Sequence, residues 1–133
     1  MASAHAHILP EVTSRSPVDS LSCCFAVGVG HIGKNHARLY AETEAVDFAA
    51  IYDTDAATAS EIAQQYEVRA TKSLEEFSEL IDAASVATPT NSHFEIAQPL
   101  LEKGKHLLIE KPIAENTAEA SQLAELALRR QLV

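Results

Sequence analysis

The chain has 133 residues, of which 47% are hydrophobic, and its 10 basic and 19 acidic residues give a formal net charge of −9. This length and apolar content suit one domain with a real core. The acidic balance, without any basic run, argues against a nucleic-acid or anionic-membrane surface, so we expect neither partner. No stretch approaches the roughly 18 apolar residues that a membrane span needs.

The first 22 residues, "MASAHAHILPEVTSRSPVDSLS", are predicted to form a flexible tail. They lack the basic start and the apolar centre of a secretory signal. We interpret His5 and His7 as solvated side chains, and no metal site is predicted. Cys23 and Cys24 are neighbours that cannot link distant parts of the chain, which indicates two buried thiols in a reducing cytoplasm. We therefore expect a cytoplasmic location.

From residue 23 onward, short apolar runs alternate with stretches of helical periodicity. The runs predicted as strands are, in chain order, 23–30, 46–53, 68–71, 84–88 and 106–110. The stretches predicted as helices are 31–43, 55–66, 73–81, 91–104 and 116–131. This alternation indicates an α/β fold of the Rossmann type over residues 23–133: a doubly wound, mostly parallel sheet with helices on both faces.

Two details of the helices are predicted from residue types. Helix-capping pairs three residues apart are expected at Ser73/Glu76, Ser92/Glu95 and Asn116/Glu119. In the first helix, Ile32, His36, Leu39 and Tyr40 fall near helical spacing.

Three glycines follow the first strand at the start of the first helix. Gly28, Gly30 and Gly33 form a Gly-x-Gly-x-x-Gly pattern. In that context the first glycine permits a tight turn, the second lets a pyrophosphate approach the backbone, and the third lets helix and strand pack closely. The helix N-terminus adds unpaired N–H groups and a partial positive charge, so an acidic chain could still hold a diphosphate. The alternative is a structural turn beside a surface aspartate.

An acidic residue at the end of the second strand supports dinucleotide binding. Asp53 lies 20 residues after Gly33, where a carboxylate can accept hydrogen bonds from the ribose hydroxyls of adenosine. A 2′-phosphate there would meet Asp53 and Asp55, with no arginine in "YDTDAAT" to receive it. Because like charges repel at contact distance, the sequence favours NAD, and NADP is the less favoured cofactor.

Two further stretches follow the fourth and fifth strands: "ATPTNSH" at 87–93 and "IEKPIAENTAEA" at 109–120. Each alone could be a turn or a charged loop. In this order, after a dinucleotide pattern, they resemble the N-terminal domain of the glucose–fructose oxidoreductase / inositol 2-dehydrogenase (Gfo/Idh/MocA) family. The resemblance runs from about residue 25 to residue 133, and its most specific part is "GKHLLIEKPIA" at 104–114.

The resemblance implies roles for particular residues. It implies that the pyrophosphate is cradled by Gly28, Gly30, His31, Ile32 and Gly33. It implies that the nicotinamide-ribose side is lined by Thr88, Pro89, Thr90 and His93. It implies that the family's Glu-Lys-Pro motif is Glu110, Lys111 and Pro112, with a bond before the proline that is often cis. Lys111 would be the catalytic residue, because a cationic donor beside the nicotinamide stabilises the alkoxide that develops on the substrate.

Two function classes remain open on the sequence. In family members a second domain supplies most of the substrate pocket and a catalytic histidine, which none of the six histidines of this chain matches. The first reading is the NAD-binding half of an oxidoreductase acting on a sugar, polyol or nucleotide-sugar hydroxyl, inactive by itself. The alternative is a non-catalytic dinucleotide-binding or partner-binding module. Bare apolar surface is expected near Leu126, Leu128 and Leu132, where a homo-oligomer or a partner would bind.

Overall fold

The computed structural model describes residues 23–133, with side chains from residue 26 onward. The predicted tail, and the side chains of Cys23 and Cys24, lie outside the described residues. The strands are β1 (Cys23–Val27), β2 (Asp47–Tyr52), β3 (Arg69–Ala70), β4 (Ala83–Val86) and β5 (His106–Ile109). The helices are α1 (His31–Glu42), α2 (Ala56–Gln65), α3 (Leu74–Glu79), α4 (His93–Glu102) and α5 (Thr117–Arg129).

The five strands form one all-parallel sheet in the order β3-β2-β1-β4-β5. The chain moves outward from β1 to β3 in one direction and then continues from β4 to β5 in the other. The strand order therefore reverses between β1 and β4, and the crevice outside their carboxyl ends is where open α/β sheets bind ligands. The Rossmann-type α/β fold predicted from the sequence is confirmed.

Both faces of the sheet are covered because neighbouring strand residues point to opposite sides. On one face, Ala26 and Ile51 pack with buried residues of α2, chiefly Ile62. On the other face, Val27 packs with Phe77 of α3 and with α4 residues. These strands are rich in small apolar residues, as expected where a sheet is buried on both sides.

The four large residues of α1 that fall near helical spacing divide between two environments. Ile32 and Leu39 are each about half exposed, whereas His36 and Tyr40 are partly buried, with the Tyr40 hydroxyl in contact with β4. The fully buried residues of the helix are Gly33 and Ala37, because the helix lies close to the sheet there. Periodicity located the helix but did not show which of its large side chains face the sheet.

The capping predictions had mixed outcomes. The Ser73 and Asn116 side chains each accept a hydrogen bond from the backbone N–H three residues on, at 3.1 and 2.9 Å, as predicted. The prediction at Ser92 was wrong: its side chain does not cap α4. It lies 2.7 Å from the Pro89 carbonyl oxygen and 2.8 Å from the Thr88 hydroxyl instead. Ser92 has the helical φ and ψ of −103° and −7°, because the 3-10 turn runs directly into α4, and a capping residue needs an extended conformation instead.

A third apolar cluster joins α4, α5 and β5. Leu101 and Leu123 are buried, and Leu126 and Leu132 pack partly against them. Leu128 is 79% exposed, so of the three leucines expected at a bare surface it is the one that faces outward. Among residues 23–133, no helix is both long enough and apolar enough to cross a membrane.

Candidate cofactor site

The glycine turn is held by contacts within the chain at two of its three glycines. Gly28 adopts φ +81°, and a Cβ there would lie 2.8 Å from the Thr88 methyl group. A Cβ on Gly33 would lie 1.7 Å from the Gly28 carbonyl oxygen. Around Gly30, by contrast, no described atom lies within 4 Å of the Cβ position. The fold needs Gly28 and Gly33 bare, whereas the space beside Gly30 is open to a ligand.

The N-terminus of α1 meets this open space. Gly30 is its N-cap residue, and no side chain caps the helix there. No acidic residue lies in the first turn, and the neighbouring His31 and Ile32 are exposed. The first N–H groups of a helix have no intrahelical partner and carry the positive end of its dipole. The arrangement therefore fits an anion, and a diphosphate in particular.

Asp53 follows β2 directly and is fixed against the glycine turn. Its Oδ2 accepts a hydrogen bond from the Val29 N–H at 2.8 Å, and its Oδ1 accepts one from the Asp55 N–H at 2.8 Å. The carboxylate is only half-buried, and each oxygen has a further lone pair. Asp53 can therefore accept hydrogen bonds from a diol while the backbone keeps its orientation fixed.

Two clefts meet at the end of β2. One, of about 320 Å³, runs from the glycine turn to the segment after β4. The other, of about 400 Å³, lies between β2, α2 and the end of β3. Both are lined by Tyr52, Asp53 and Thr54, so the carboxylate stands between them. The first has the position expected of a dinucleotide crevice, at the carboxyl ends of β1, β2 and β4.

The segment after β4 supplies the opposite wall of the first cleft. Thr88 and Pro89 line it, together with Ser92, while Thr90 begins a single 3-10 turn, Thr90–Ser92. His93 lies behind this wall and is 1% exposed. Its Nε2 is 2.8 Å from the Thr88 carbonyl oxygen, and its Nδ1 is 3.0 Å from that of Pro112. His93 thus joins the segment after β4 to the segment after β5, and any effect it has on a ligand is indirect.

Glu110, Lys111 and Pro112 follow β5 at the same edge of the sheet. The Glu110 N–H donates to the Val86 carbonyl oxygen at 3.0 Å, which extends the pairing of β5 with β4. The Lys111–Pro112 peptide bond is cis, as the resemblance implied. Lys111 is exposed, and within residues 23–133 its ammonium forms no ion pair.

The sequence interpretation missed one contact of this segment. His36 of α1 lies with its Nε2 2.6 Å from Glu110 Oε1. His36 was placed on the helix without a partner, although one signal was available. It follows Gly33 by three residues, which directs it toward the sheet beside the glycine turn.

Asp55 lies beside Asp53 and caps α2. The pKa of Asp55 lies below its ordinary value because the Thr58 hydroxyl and backbone N–H donate to its carboxylate. Asp55 therefore remains charged beside Asp53 near neutral pH. Within the part of the chain that the structure describes, no three His, Cys, Asp or Glu side chains gather as a metal site.

The strand order, the bare glycine turn and Asp53 together define an NAD(P)-binding Rossmann domain. Residues 24–133 match the family described as "Oxidoreductase family, NAD-binding Rossmann fold". The chain belongs to this Gfo/Idh/MocA family of oxidoreductases.

Relatives support the assignment. UDP-N-acetylglucosamine 3-dehydrogenase of Acidithiobacillus ferrooxidans is 39% identical over 107 residues, which are 80% of this chain and 34% of that protein. Its solved structure superposes with a TM-score of 0.80 at 38% identity, covering 84% of this chain and 36% of that one. GenD2 from gentamicin A biosynthesis, solved in complex with NAD, gives a TM-score of 0.81 at 30% identity, covering 85% and 33%. The chain thus spans about a third of the length of these relatives.

Proposed function

We propose that this chain is the NAD-binding half of a dehydrogenase that moves a hydride between NAD and a hydroxyl of a sugar, polyol or nucleotide sugar. The open space beside Gly30, at an uncapped helix N-terminus, is the observation that carries the proposal. A structural turn would not need this glycine, because no described atom approaches its Cβ position. The most similar relative named above is a nucleotide-sugar dehydrogenase, which favours that substrate class.

The residues that would hold the cofactor lie at the carboxyl ends of different strands. Gly28, Gly30, His31, Ile32 and Gly33 form the pyrophosphate turn. Asp53 would accept hydrogen bonds from the adenosine ribose, while the nicotinamide-ribose side would be Thr88, Pro89 and Thr90, supported by the buried His93. NAD, when bound, supplies the hydride acceptor. The chain itself positions its diphosphate and riboses with backbone N–H groups and one carboxylate.

NAD is proposed over NADP because the ribose position is acidic. The Asp53 carboxylate is oriented by two backbone donors, and the charged Asp55 is close by. A 2′-phosphate there would be repelled, so we expect NADP to bind about tenfold more weakly than NAD. Calorimetric titration with both cofactors measures this ratio. Asp53→Asn keeps the side-chain shape but removes the charge, and it should bring the two affinities closer. Tighter binding of NADP by the wild-type chain would overturn the argument from Asp53.

Lys111 is proposed as the catalytic residue of the complete enzyme. Its exposed ammonium is free to donate a hydrogen bond to a substrate hydroxyl, and its charge would stabilise the alkoxide as the hydride leaves. Glu110 and Pro112, its neighbours in the chain, would fix the position of the Lys111 backbone. Cofactor binding alone does not require a lysine here, which is why we favour the dehydrogenase over a non-catalytic binding module.

We further propose that residues 23–133 form the cofactor domain and that a second domain completes the active site. The Glu110 carboxylate beside Lys111 already contacts His36, and Lys111 itself is exposed, so the described residues do not enclose a sugar ring there. Orientation and exclusion of water lower barriers by several kcal/mol, so we expect no turnover from this chain alone. Absorbance of NADH across a panel of polyols, sugars and nucleotide sugars tests this. NADH formation that disappears in Lys111→Ala would instead make the chain a complete minimal dehydrogenase.

A further inference from the structure

One buried contact links the pyrophosphate turn to the Glu-Lys-Pro segment. His36 and Glu110 are 74 positions apart in sequence, yet His36 Nε2 lies 2.6 Å from Glu110 Oε1. Their side chains are 15% and 29% exposed, so the contact is largely shielded from water. A hydrogen bond that is largely shielded from water is stronger than one at the surface.

Each side of this contact has its own support. The His36 ring packs against the Tyr40 ring, with centroids 6.5 Å apart, and the Tyr40 hydroxyl contacts Ser85 of β4. Glu110 is fixed at its backbone by the Val86 carbonyl oxygen. His36 is therefore held to the sheet through its helix, and Glu110 is held at the tip of β5. The pair joins two elements that a bound cofactor would span.

We propose that His36 is a positioning residue that sets the place of Lys111 relative to the glycine turn. His36 lies one helical turn after Gly33, and Glu110 immediately precedes Lys111. Because the Lys111 ammonium has no ion pair within residues 23–133, its position depends on the backbone that Glu110 anchors. The proposal rests on the proposed function, since it concerns how the two ends of one cofactor site are held relative to each other.

The test compares a ligand that reaches the Glu-Lys-Pro segment with one that does not. The nicotinamide ribose of NADH would lie against the segment after β4, which His93 joins to Pro112, whereas ADP would occupy only the glycine turn and Asp53. In His36→Ala we expect NADH to bind about five- to tenfold more weakly and ADP to change by less than about twofold. Glu110→Ala should lose NADH affinity to a similar extent. The double variant should bind NADH no more weakly than either single variant, because both substitutions remove the same hydrogen bond.

Conservative variants separate positioning from folding. Gln at position 36 places an amide nitrogen near the position of Nε2, so His36→Gln should restore most of the affinity for NADH. The fluorescence of bound NADH, which reports the surroundings of the nicotinamide, should change in His36→Ala and return in His36→Gln. Arg38→Ala is the matched control, because the Arg38–Glu42 pair of the same helix is exposed. It should leave both affinities unchanged.

Three results would overturn the proposal. Equal losses of NADH and ADP affinity in His36→Ala would show a merely structural role. Additive losses in the double variant would show that the two side chains act independently. Unchanged NADH binding in His36→Ala, with a wild-type chain that binds NADH, would remove the inference and leave the proposed function standing. A wild-type chain that binds neither NADH nor ADP would refute the proposed function itself, and the inference with it.

Discussion

The tips of β1 and β2 and the tip of β5 lie at the same edge of the sheet, but they are built differently. At β1 and β2, the turn is closed by its own contacts: Gly33 against Gly28, and Asp53 on the Val29 N–H. At β5, Glu110 has a fixed partner, whereas Lys111 is exposed and without an ion pair among the described residues. The tips of β1 and β2 are fixed by contacts among the described residues, and the tip of β5, proposed for chemistry, is open.

The difference separates what one domain can do alone from what it needs help to do. A diphosphate and a ribose are recognised by backbone N–H groups and one carboxylate, all of which this fold supplies. Stabilising an alkoxide requires that a substrate be fixed in place and that water be excluded. Substitutions at the turn should therefore affect folding or cofactor binding separately, according to what each glycine contacts.

The largest effect is expected for Gly33→Ala. The added Cβ would lie 1.7 Å from the Gly28 carbonyl oxygen, which is backbone and cannot move aside without moving β1 or α1. We expect the free energy of unfolding to fall by about 3 kcal/mol, measured by denaturant titration. Gly104→Ala is the control, because its Cβ would meet no described atom and only its positive φ costs energy, about 1 kcal/mol. Equal losses in the two variants would show that the close approach of α1 to β1 is not tight.

Gly30→Val should separate cofactor binding from folding. No described atom lies within 4 Å of the Cβ position, so the free energy of unfolding should change by less than about 1 kcal/mol. The valine would fill the space proposed for the pyrophosphate, and NAD affinity should fall about 100-fold or more. Calorimetry gives the NAD affinity, and denaturant titration of the same preparation gives the free energy of unfolding. A folded Gly30→Val chain with normal NAD affinity would show that the glycine turn has only a structural role.

Much of the fold could be predicted because its signals are local. Apolar runs, helical periodicity and three glycines each lie within a few residues, and the parallel sheet follows from their alternation. The position of Asp53 at the end of β2 was equally accessible, since it directly follows a strand. The Asn116 cap was predicted correctly for the same reason: donor and acceptor are three residues apart.

The errors concern contacts between distant or competing groups. The periodicity of α1 did not show that Ile32 and Leu39 are exposed, because it does not report how closely the helix approaches the sheet. The Ser92 cap failed because the 3-10 turn before α4 holds Ser92 in a helical conformation. The bond between His36 and Glu110 spans 74 positions, and only the order of the strands brings its two ends together. Helical spacing can direct His36 toward the sheet, but it does not identify the partner that His36 meets there.

The smallest effect is expected at Asp55, which caps α2 beside the ribose position. Its Oδ1 accepts from the Ala57 and Thr58 N–H groups, at 3.1 and 3.2 Å, and its Oδ2 accepts from the Thr58 hydroxyl at 2.8 Å. The bonds to Thr58 are the main cause of its lowered pKa. Because the pKa is lower in the folded state than in the unfolded one, the cap stabilises the fold above the ordinary aspartate pKa, about 4. That contribution is lost as the pH falls through the folded value.

Asp55→Asn keeps an acceptor for the helix N–H groups but cannot titrate. We expect its melting temperature near neutral pH to lie within about 3 °C of the wild type, since asparagine caps helices nearly as well as aspartate. As the pH falls below about 5, the wild type should lose stability faster than the variant, so that the melting temperatures of the two proteins converge. Asp82→Asn serves as the control, because Asp82 is exposed and caps no helix. If the melting temperatures of wild type and Asp55→Asn fell in parallel with pH, the α2 cap would stabilise the fold equally when protonated. The contrast between a fixed β2 tip and an open β5 tip would then depend on Asp53 alone.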